Sequence, residues 1–115
     1  MKELLSIIIP TLNEQATIVE TLQALQPLRQ VGHEIIVVDG GSVDNTQNLA
    51  SSLADSVLLA DKGRALQMNT GAKFSHNEIL LFLHADTRLS EHADQLIITK
   101  KNPKLKLWTP KKTQS

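Results

Sequence analysis

Two stretches of this chain share one design. Glu34-Ile35-Ile36-Val37-Val38-Asp39 and Ile79-Leu80-Leu81-Phe82-Leu83-His84-Ala85-Asp86 are apolar runs that stop at an acid. A carboxylate in such a place can hold a hard divalent cation. Arg64, just after Gly63, offers a guanidinium whose planar fork matches phosphate oxygens. Gly40-Gly41-Ser42 and the turn Pro10-Thr11-Leu12-Asn13-Glu14 supply backbone N–H groups where helices start. Thr11, Asn13, Glu14, Asp39, Gly40, Gly63, Arg64, His84 and Asp86 therefore suit a phosphorylated ligand held together with a divalent metal.

These residues need elements to bring them together. The run Ile79–Leu83 has no alternation and is too short to cross a membrane, so it reads as a strand buried on both faces. Such strands belong to parallel sheets covered by helices. Leu4–Ile9 is a second strand, stopped by Pro10, and Glu34–Asp39 and Val57–Ala60 are two more. Thr11 and Glu14 have capping-box spacing and Asn13 is a good N-cap, so a helix is expected to begin there, with Ile18, Leu22 and Leu25 on its apolar stripe. Pro27 and Gly32 mark its end.

Ser42 or Asp44 can cap a second helix carrying Leu49, Ala50, Leu53 and Ala54. A third helix runs from Ala65 to about His76, with Leu66, Met68, Ala72 and Phe74 available for burial and Asn77 as a left-handed stop. The order β-α-β-α-β-α-β predicts a parallel sheet with helices on both faces. The carboxyl ends of all four strands then share one rim, which is where open α/β sheets bind ligands.

Several classes are excluded. The turn after the first strand has no glycine, so the G-x-G-x-x-G dinucleotide fingerprint is absent, and no G-x-x-x-x-G-K-[ST] phosphate loop occurs. With 115 residues there is room for one core. There is no cysteine, hence no disulfide framework. The N-terminus lacks a small-residue cleavage site, so a cytoplasmic chain is expected. Residues 1–99 carry 6 Lys/Arg against 12 Asp/Glu, whereas residues 100–115 carry 6 Lys and no acid. An acidic body argues against nucleic acid as a partner. The basic tail reads as a solvated end, or else as a peripheral contact to an anionic membrane surface or nucleic acid.

The motifs Ile7-Ile8-Ile9-Pro10-Thr11-Leu12-Asn13-Glu14, Val37-Val38-Asp39-Gly40-Gly41-Ser42 with Asp44 and Thr46, Gly63–Ala72, and Leu80–Thr87 resemble family 2 glycosyltransferases, and within them the selenodomain-associated transferase 2 subgroup. The resemblance implies a GT-A fold: three α/β/α layers, Rossmann-like, around a mainly parallel sheet. It implies transfer of a sugar from a nucleotide-diphosphate donor, most simply a UDP-sugar, with Mn2+ or Mg2+ as cofactor. Asp39 resembles the acid that recognises the base. Pro10, Thr11 and Glu14 match the loop along the nucleoside, and Arg64 stands where a basic residue approaches the donor. Asp86 matches the last acid of a D-x-D motif and becomes the expected metal ligand. His84 stands where the first acid is usual and is expected to line the sugar pocket rather than bind metal.

Simpler roles stand beside these. Asp39 or Asp44 can cap a helix, and Arg64 can pair with Asp61 or Asp39. His33, His76 and His92 read as surface residues. Met68, Phe74 and Phe82 read as core.

The resemblance fades after about Ser90. Glu91–Ile98 still fits a helix, and Lys104–Thr109 alternates like an edge strand. The expected organisation is a donor-binding region over 1–99 followed by a divergent basic tail over 100–115. The second half of such a domain, with the acidic motif that carries the acceptor base, has no counterpart here, so no catalytic residue is assigned. The chain then reads as a truncated domain or one that works with a partner subunit, and Ile79–Leu83 is expected to lie at the sheet's edge. A catalytically silent nucleotide-sugar module is the binding-class alternative. A sugar nucleotidyltransferase is disfavoured, because its glycine-rich basic turn after the first strand is missing.

Overall fold

The computed structural model describes residues 4–85 and the backbone of a strand at Ile97–Lys100. The elements run β1 (Leu5–Thr11), α1 (Ile18–Ala24), α2 (Gln26–Gln30), β2 (Glu34–Asp39), α3 (Thr46–Ser51), β3 (Ser56–Leu59), α4 (Arg64–Phe74), β4 (Ile79–Phe82) and β5 (Ile97–Lys100). The sheet order is β3-β2-β1-β4-β5. The first four strands are parallel, and β5 adds antiparallel to β4.

Burial on both sheet faces explains the unbroken apolar runs. Odd-numbered side chains Ile7, Ile9, Ile35, Val37 and Leu81 pack with Ile18 and Leu22 of α1 and Ala50 of α3. Their even-numbered neighbours Ile8, Ile36, Val38, Leu80 and Phe82 pack with Met68 and Ala72 of α4. One face therefore takes α1 and α3 and the other takes α4, which is the three-layer α/β/α arrangement. Each isoleucine sealed this way contributes roughly 1.5–3 kcal/mol relative to exposure.

Several boundaries differ from expectation for physical reasons. Pro10 does not end β1, which continues to Thr11. Ile8 points its carbonyl at Leu83 on the β4 side, while Thr11 points its carbonyl at Gly40 on the β2 side. Pro10 therefore turns its missing N–H toward β4, beyond the last β1–β4 pair, Ile8 with Phe82. A proline costs a ladder nothing where no partner faces it.

The first helix starts at Ile18 and not at the Thr11–Glu14 turn. The capping box does not form, because the Thr11 hydroxyl is committed to Asp39. The chain breaks helix at Leu25 and restarts as α2, with Pro27 in the first turn, where its N–H is not needed. The third helix is Arg64–Phe74; Leu66 and Phe74 are exposed rather than buried. Asn77 is no left-handed stop. Its side-chain amide donates to the Leu5 carbonyl.

His33 is half-buried and structural, its Nδ1 accepting the Leu5 N–H. His76 is exposed, as expected, beside Glu34. His92 lies outside the described residues.

The largest correction concerns β4. It is not an edge, because β5 pairs along all of it, from Ile79 with Lys100 to Phe82 with Ile97. The helix expected over Glu91–Ile98 is contradicted at its end, where Ile97 and Ile98 lie in β5. Ile97-Ile98-Thr99 is a β-branched trio, a residue type that favours strand. The strand expected at Lys104–Thr109 lies outside the described residues.

Candidate donor-binding site

The rim at the carboxyl ends of β1, β2 and β4 is built around Asp39. Its side chain is fully buried. Oδ1 accepts from the hydroxyls of Thr11 (2.8 Å) and Ser42 (2.6 Å). Oδ2 accepts from the backbone N–H of Gly41 (2.9 Å) and Ser42 (2.7 Å) and from the Gln47 amide (2.9 Å). Burial by itself pushes the Asp39 carboxyl upward. The donors from Ser42, Thr11 and Gln47 outweigh it and hold the group below the usual carboxylate range. Asp39 is therefore a buried anion that closes the loop after β2.

That loop is stitched to the loop after β1. Asn13 takes a left-handed backbone (φ 54°), and its N–H donates to Ser42 Oγ (2.7 Å) while its Oδ1 accepts the Val43 N–H (2.9 Å). The Glu14 N–H donates to Thr46 Oγ1 (2.8 Å). Asp44 accepts from the backbone N–H and hydroxyl of Thr46, the first residue of α3, but the N-cap position is taken by Asn45 and not by Ser42 or Asp44 as expected. These bonds depress the Asp44 carboxyl, Thr46 first among them.

Beside this stitched pair of loops opens a cleft of about 370 Å³. Pro10, Thr11 and Glu14 line it from the end of β1, Gly63 and Arg64 from the start of α4, and His84 from the chain after β4. Six of the expected site residues thus meet in one cleft. Asp39 and Gly40 do not line it but adjoin residues that do, Asp39 through its bond to Thr11 and Gly40 through its contact with Gln67, and Asn13 faces the β2 loop instead. Asp86 lies outside the described residues; Ala85, its chain neighbour, lines the cleft.

Arg64 pairs with neither Asp61 nor Asp39. Its guanidinium donates to His84 Nδ1 (3.0 Å), which assigns that nitrogen as the acceptor and the ring proton to Nε2. His84 also lines the cleft.

Three contributors were not singled out from sequence. Lys62 adds a second cation to the cleft wall, and only its place beside Gly63 signals this. Gln67 is buried under the rim, and as a polar residue on a helix it gives no sequence signal of burial. Thr21 of α1 donates its hydroxyl to the Ala85 carbonyl, reaching across 64 residues of sequence.

Among the described residues no three His, Cys, Asp or Glu side chains converge to make a complete protein metal site.

The profile described as glycosyl transferase family 2 matches residues 6–102, past the point where the sequence motifs fade. A poly-beta-1,6-N-acetyl-D-glucosamine synthase of Staphylococcus epidermidis is 32% identical over 109 residues, which is 88% of this chain and 26% of that protein. A PGL/p-HBAD biosynthesis glycosyltransferase of Mycobacterium bovis is 37% identical over 98 residues, 79% of this chain and 38% of that protein. The chain thus spans well under half the length of these relatives.

Among solved structures, glucosyl-3-phosphoglycerate synthase of Mycobacterium tuberculosis in complex with Mn2+, UDP and glucosyl-3-phosphoglycerate superposes with a TM-score of 0.65 at 25% identity, over 72% of this chain and 33% of that one. A mannosyltransferase of Pyrobaculum calidifontis in complex with GDP-Man and Mn2+ gives 0.64 at 26% identity, over 75% and 28%. With its motifs, its α/β/α sheet order and these matches in agreement, the chain belongs to the family 2 glycosyltransferases and has the GT-A type of fold.

Proposed function

We propose that this chain is the donor-binding part of a glycosyltransferase that takes a nucleotide-diphosphate sugar, most simply a UDP-sugar, together with Mn2+ or Mg2+. The observation that carries the proposal is the cleft in which Thr11, Glu14, Gly63, Arg64 and His84 meet. Pro10, Thr11 and Glu14 would flank the nucleoside. Asp39 and Gly40 would shape the loop beside it. For Asp39 to accept the base N–H directly, one hydroxyl of Thr11 or Ser42 must turn away from its carboxylate. Asn13 would hold that loop by its bonds to Ser42 and Val43.

Arg64, with Lys62 beside it, would meet the diphosphate, and the first turn of α4 adds N–H groups. His84 would offer Nε2–H toward the sugar side. Asp86 would hold the cation, which when bound acts as a Lewis acid on the leaving diphosphate. The base that deprotonates the acceptor is expected in the length of the relatives that this chain does not span, and the acceptor itself is not assigned.

Calorimetry of UDP with Mn2+ tests the reading. Asp86→Ala and Arg64→Ala should each weaken binding about tenfold or more. Unchanged affinity in both variants would sink the site assignment. A second reading is a silent nucleotide-sugar module that needs a partner subunit. Turnover of a UDP-sugar by this chain alone would exclude it.

The reading takes residues 1–99 as the donor-binding region and 100–115 as a basic tail suited to peripheral contact with an anionic membrane surface. No helix among the described residues is long and apolar enough to cross a membrane. The site is proposed to work in the cytoplasm, where nucleotide sugars are made.

A further inference from the structure

Gln67 is a polar side chain that bonds to three segments at once: the end of β1, the end of β2 and the turn before α4. It sits on the buried side of α4, 4% exposed. Its Nε2 donates to the Thr11 carbonyl (2.9 Å) at the end of β1 and to the Val38 carbonyl (2.8 Å) at the end of β2. Its Oε1 accepts the Gly63 N–H (3.1 Å). Both amide protons and the amide oxygen are thus used, and each bond ends on a residue next to, or in, the expected donor site. Thr11 lines the cleft, Val38 precedes Asp39, and Gly63 precedes Arg64.

Gly40 packs against the same amide so closely that a Cβ there would lie 2.9 Å from Oε1. A buried amide is costly to leave unpaired, so it fixes the distances among its three partners.

We propose that Gln67 is a positioning residue that couples the nucleoside side of the donor cleft (Thr11 and the Asp39 loop) to the phosphate side (Gly63 and Arg64). The inference rests on the donor-site reading above. It goes further in saying that the two sides do not bind independently. With Gln67 in place, Arg64 meets the diphosphate of a nucleotide whose base is already seated. Without it, the Gly63–Arg64 turn loses its register to the ends of β1 and β2.

Gln67→Met keeps the length of the side chain and removes all three bonds. Thermal unfolding first establishes that the variant folds; where it does not, Gln67→Asn, which keeps an amide but is one methylene too short to reach all three partners, replaces it.

In the first arm, amide hydrogen exchange at Gly63 should speed about tenfold, while Ile8 and Ile36 in the sheet keep their protection. Unchanged exchange at Gly63 would overturn the coupling. In the second arm, the effect of Arg64→Ala on UDP binding with Mn2+ should shrink from about tenfold in the wild-type background to about twofold in Gln67→Met. A residue that merely supports the fold would lower the unfolding temperature and leave that ratio intact, and an intact ratio overturns the proposal. If the wild-type chain binds no UDP with Mn2+, the donor-site reading falls, and the exchange arm still decides whether Gln67 ties the three segments.

Discussion

Asp39 and Glu34 stand at opposite ends of β2, and both are anions held by directed donors. Glu34 accepts from the Ser6 hydroxyl (2.7 Å), from the His76 backbone N–H (2.8 Å) and from the His76 ring (2.6 Å). For each carboxyl, burial pushes upward and the bonds push down. The bonds win, those of His76 leading at Glu34 and those of Ser42 at Asp39. A carboxyl whose folded value lies below its unfolded one, about 3.9 for Asp and 4.3 for Glu, binds fewer protons when folded. Its stabilisation is complete above the unfolded value and is lost as pH falls through the depressed folded value. The urea midpoint of the chain should therefore be level near neutrality and fall steeply below about pH 4. Asp39→Asn and Glu34→Gln should each flatten that fall, and an unchanged slope in both would contradict the assignment. At neutral pH Asp39→Asn should also cost about 2–3 kcal/mol, because an amide cannot accept on both atoms from the donors now facing Oδ1 and Oδ2. Thr21→Val is the neutral counterpart. It removes the hydroxyl under the Ala85 carbonyl and should cost about 1–2 kcal/mol by denaturant unfolding. It should also weaken Mn2+-dependent UDP binding, if Ala85 sets the approach to Asp86.

At the scale of elements, α4 is the one that joins packing to the site, and Gly71 sets how close it lies. A Cβ at Gly71 would collide with Ile8 Cγ2 and lie 3.1 Å from Val38 Cγ2. Gly71→Ala gains about 1 kcal/mol in helix propensity. It must nevertheless lift α4 from β1 and β2, an overpacking cost of about 1–3 kcal/mol. Net destabilisation in chemical unfolding, with loss of UDP affinity because Arg64 and Gln67 ride on the same helix, is the expected result. A stabilised variant would mean that the helix has room to spare. The sheet was legible because a strand buried on both faces writes itself as an unbroken apolar run. Glu34–Asp39 was bounded correctly since it ends on an acid and two glycines follow it. Helix starts were less legible. Thr11 and Glu14 look like a capping box, yet the Thr11 hydroxyl serves Asp39 and the Glu14 N–H serves Thr46, bonds that cross 28 and 32 residues. Local spacing carries no record of such partners. Gln67 and Thr21 escaped for the same reason, as polar helical residues whose acceptors lie far off in sequence, Gln67's in β1 and β2 and Thr21's in the chain after β4.

Across the whole molecule, the loops after β1 and β2 are stitched to each other, α4 is tied to both through Gln67, and α1 is tied to the end of β4 through Thr21. The cleft is therefore a property of the assembled sheet, and whatever stabilises β4 bears on it. On one side β4 pairs with β1, which is covered on both faces; on the other its partner is β5. The apolar strand that sequence placed at an edge is thus shielded by a short antiparallel strand, and antiparallel addition needs no crossover helix. A chain ending at residue 96 would lack β5 and leave the backbone N–H and C=O groups of Ile79–Phe82 facing outward along one side. Leu80, Leu81 and Phe82 are buried, so that edge would be flat and apolar, the kind that recruits strands from other chains. Light scattering during size-exclusion chromatography should find the 1–96 chain associating as concentration rises, while the 1–115 chain elutes with a smaller apparent mass. Replacing Thr99, which pairs with Leu80 and turns its N–H toward β4, by proline in the full chain should move it toward the truncated behaviour, since proline cannot donate to a ladder. If both altered chains keep the mass of the 1–115 chain at every concentration, β5 is not what protects β4. If they associate and lose UDP binding together, then the strand that closes the sheet's edge also holds the end of β4 where the donor cleft needs it.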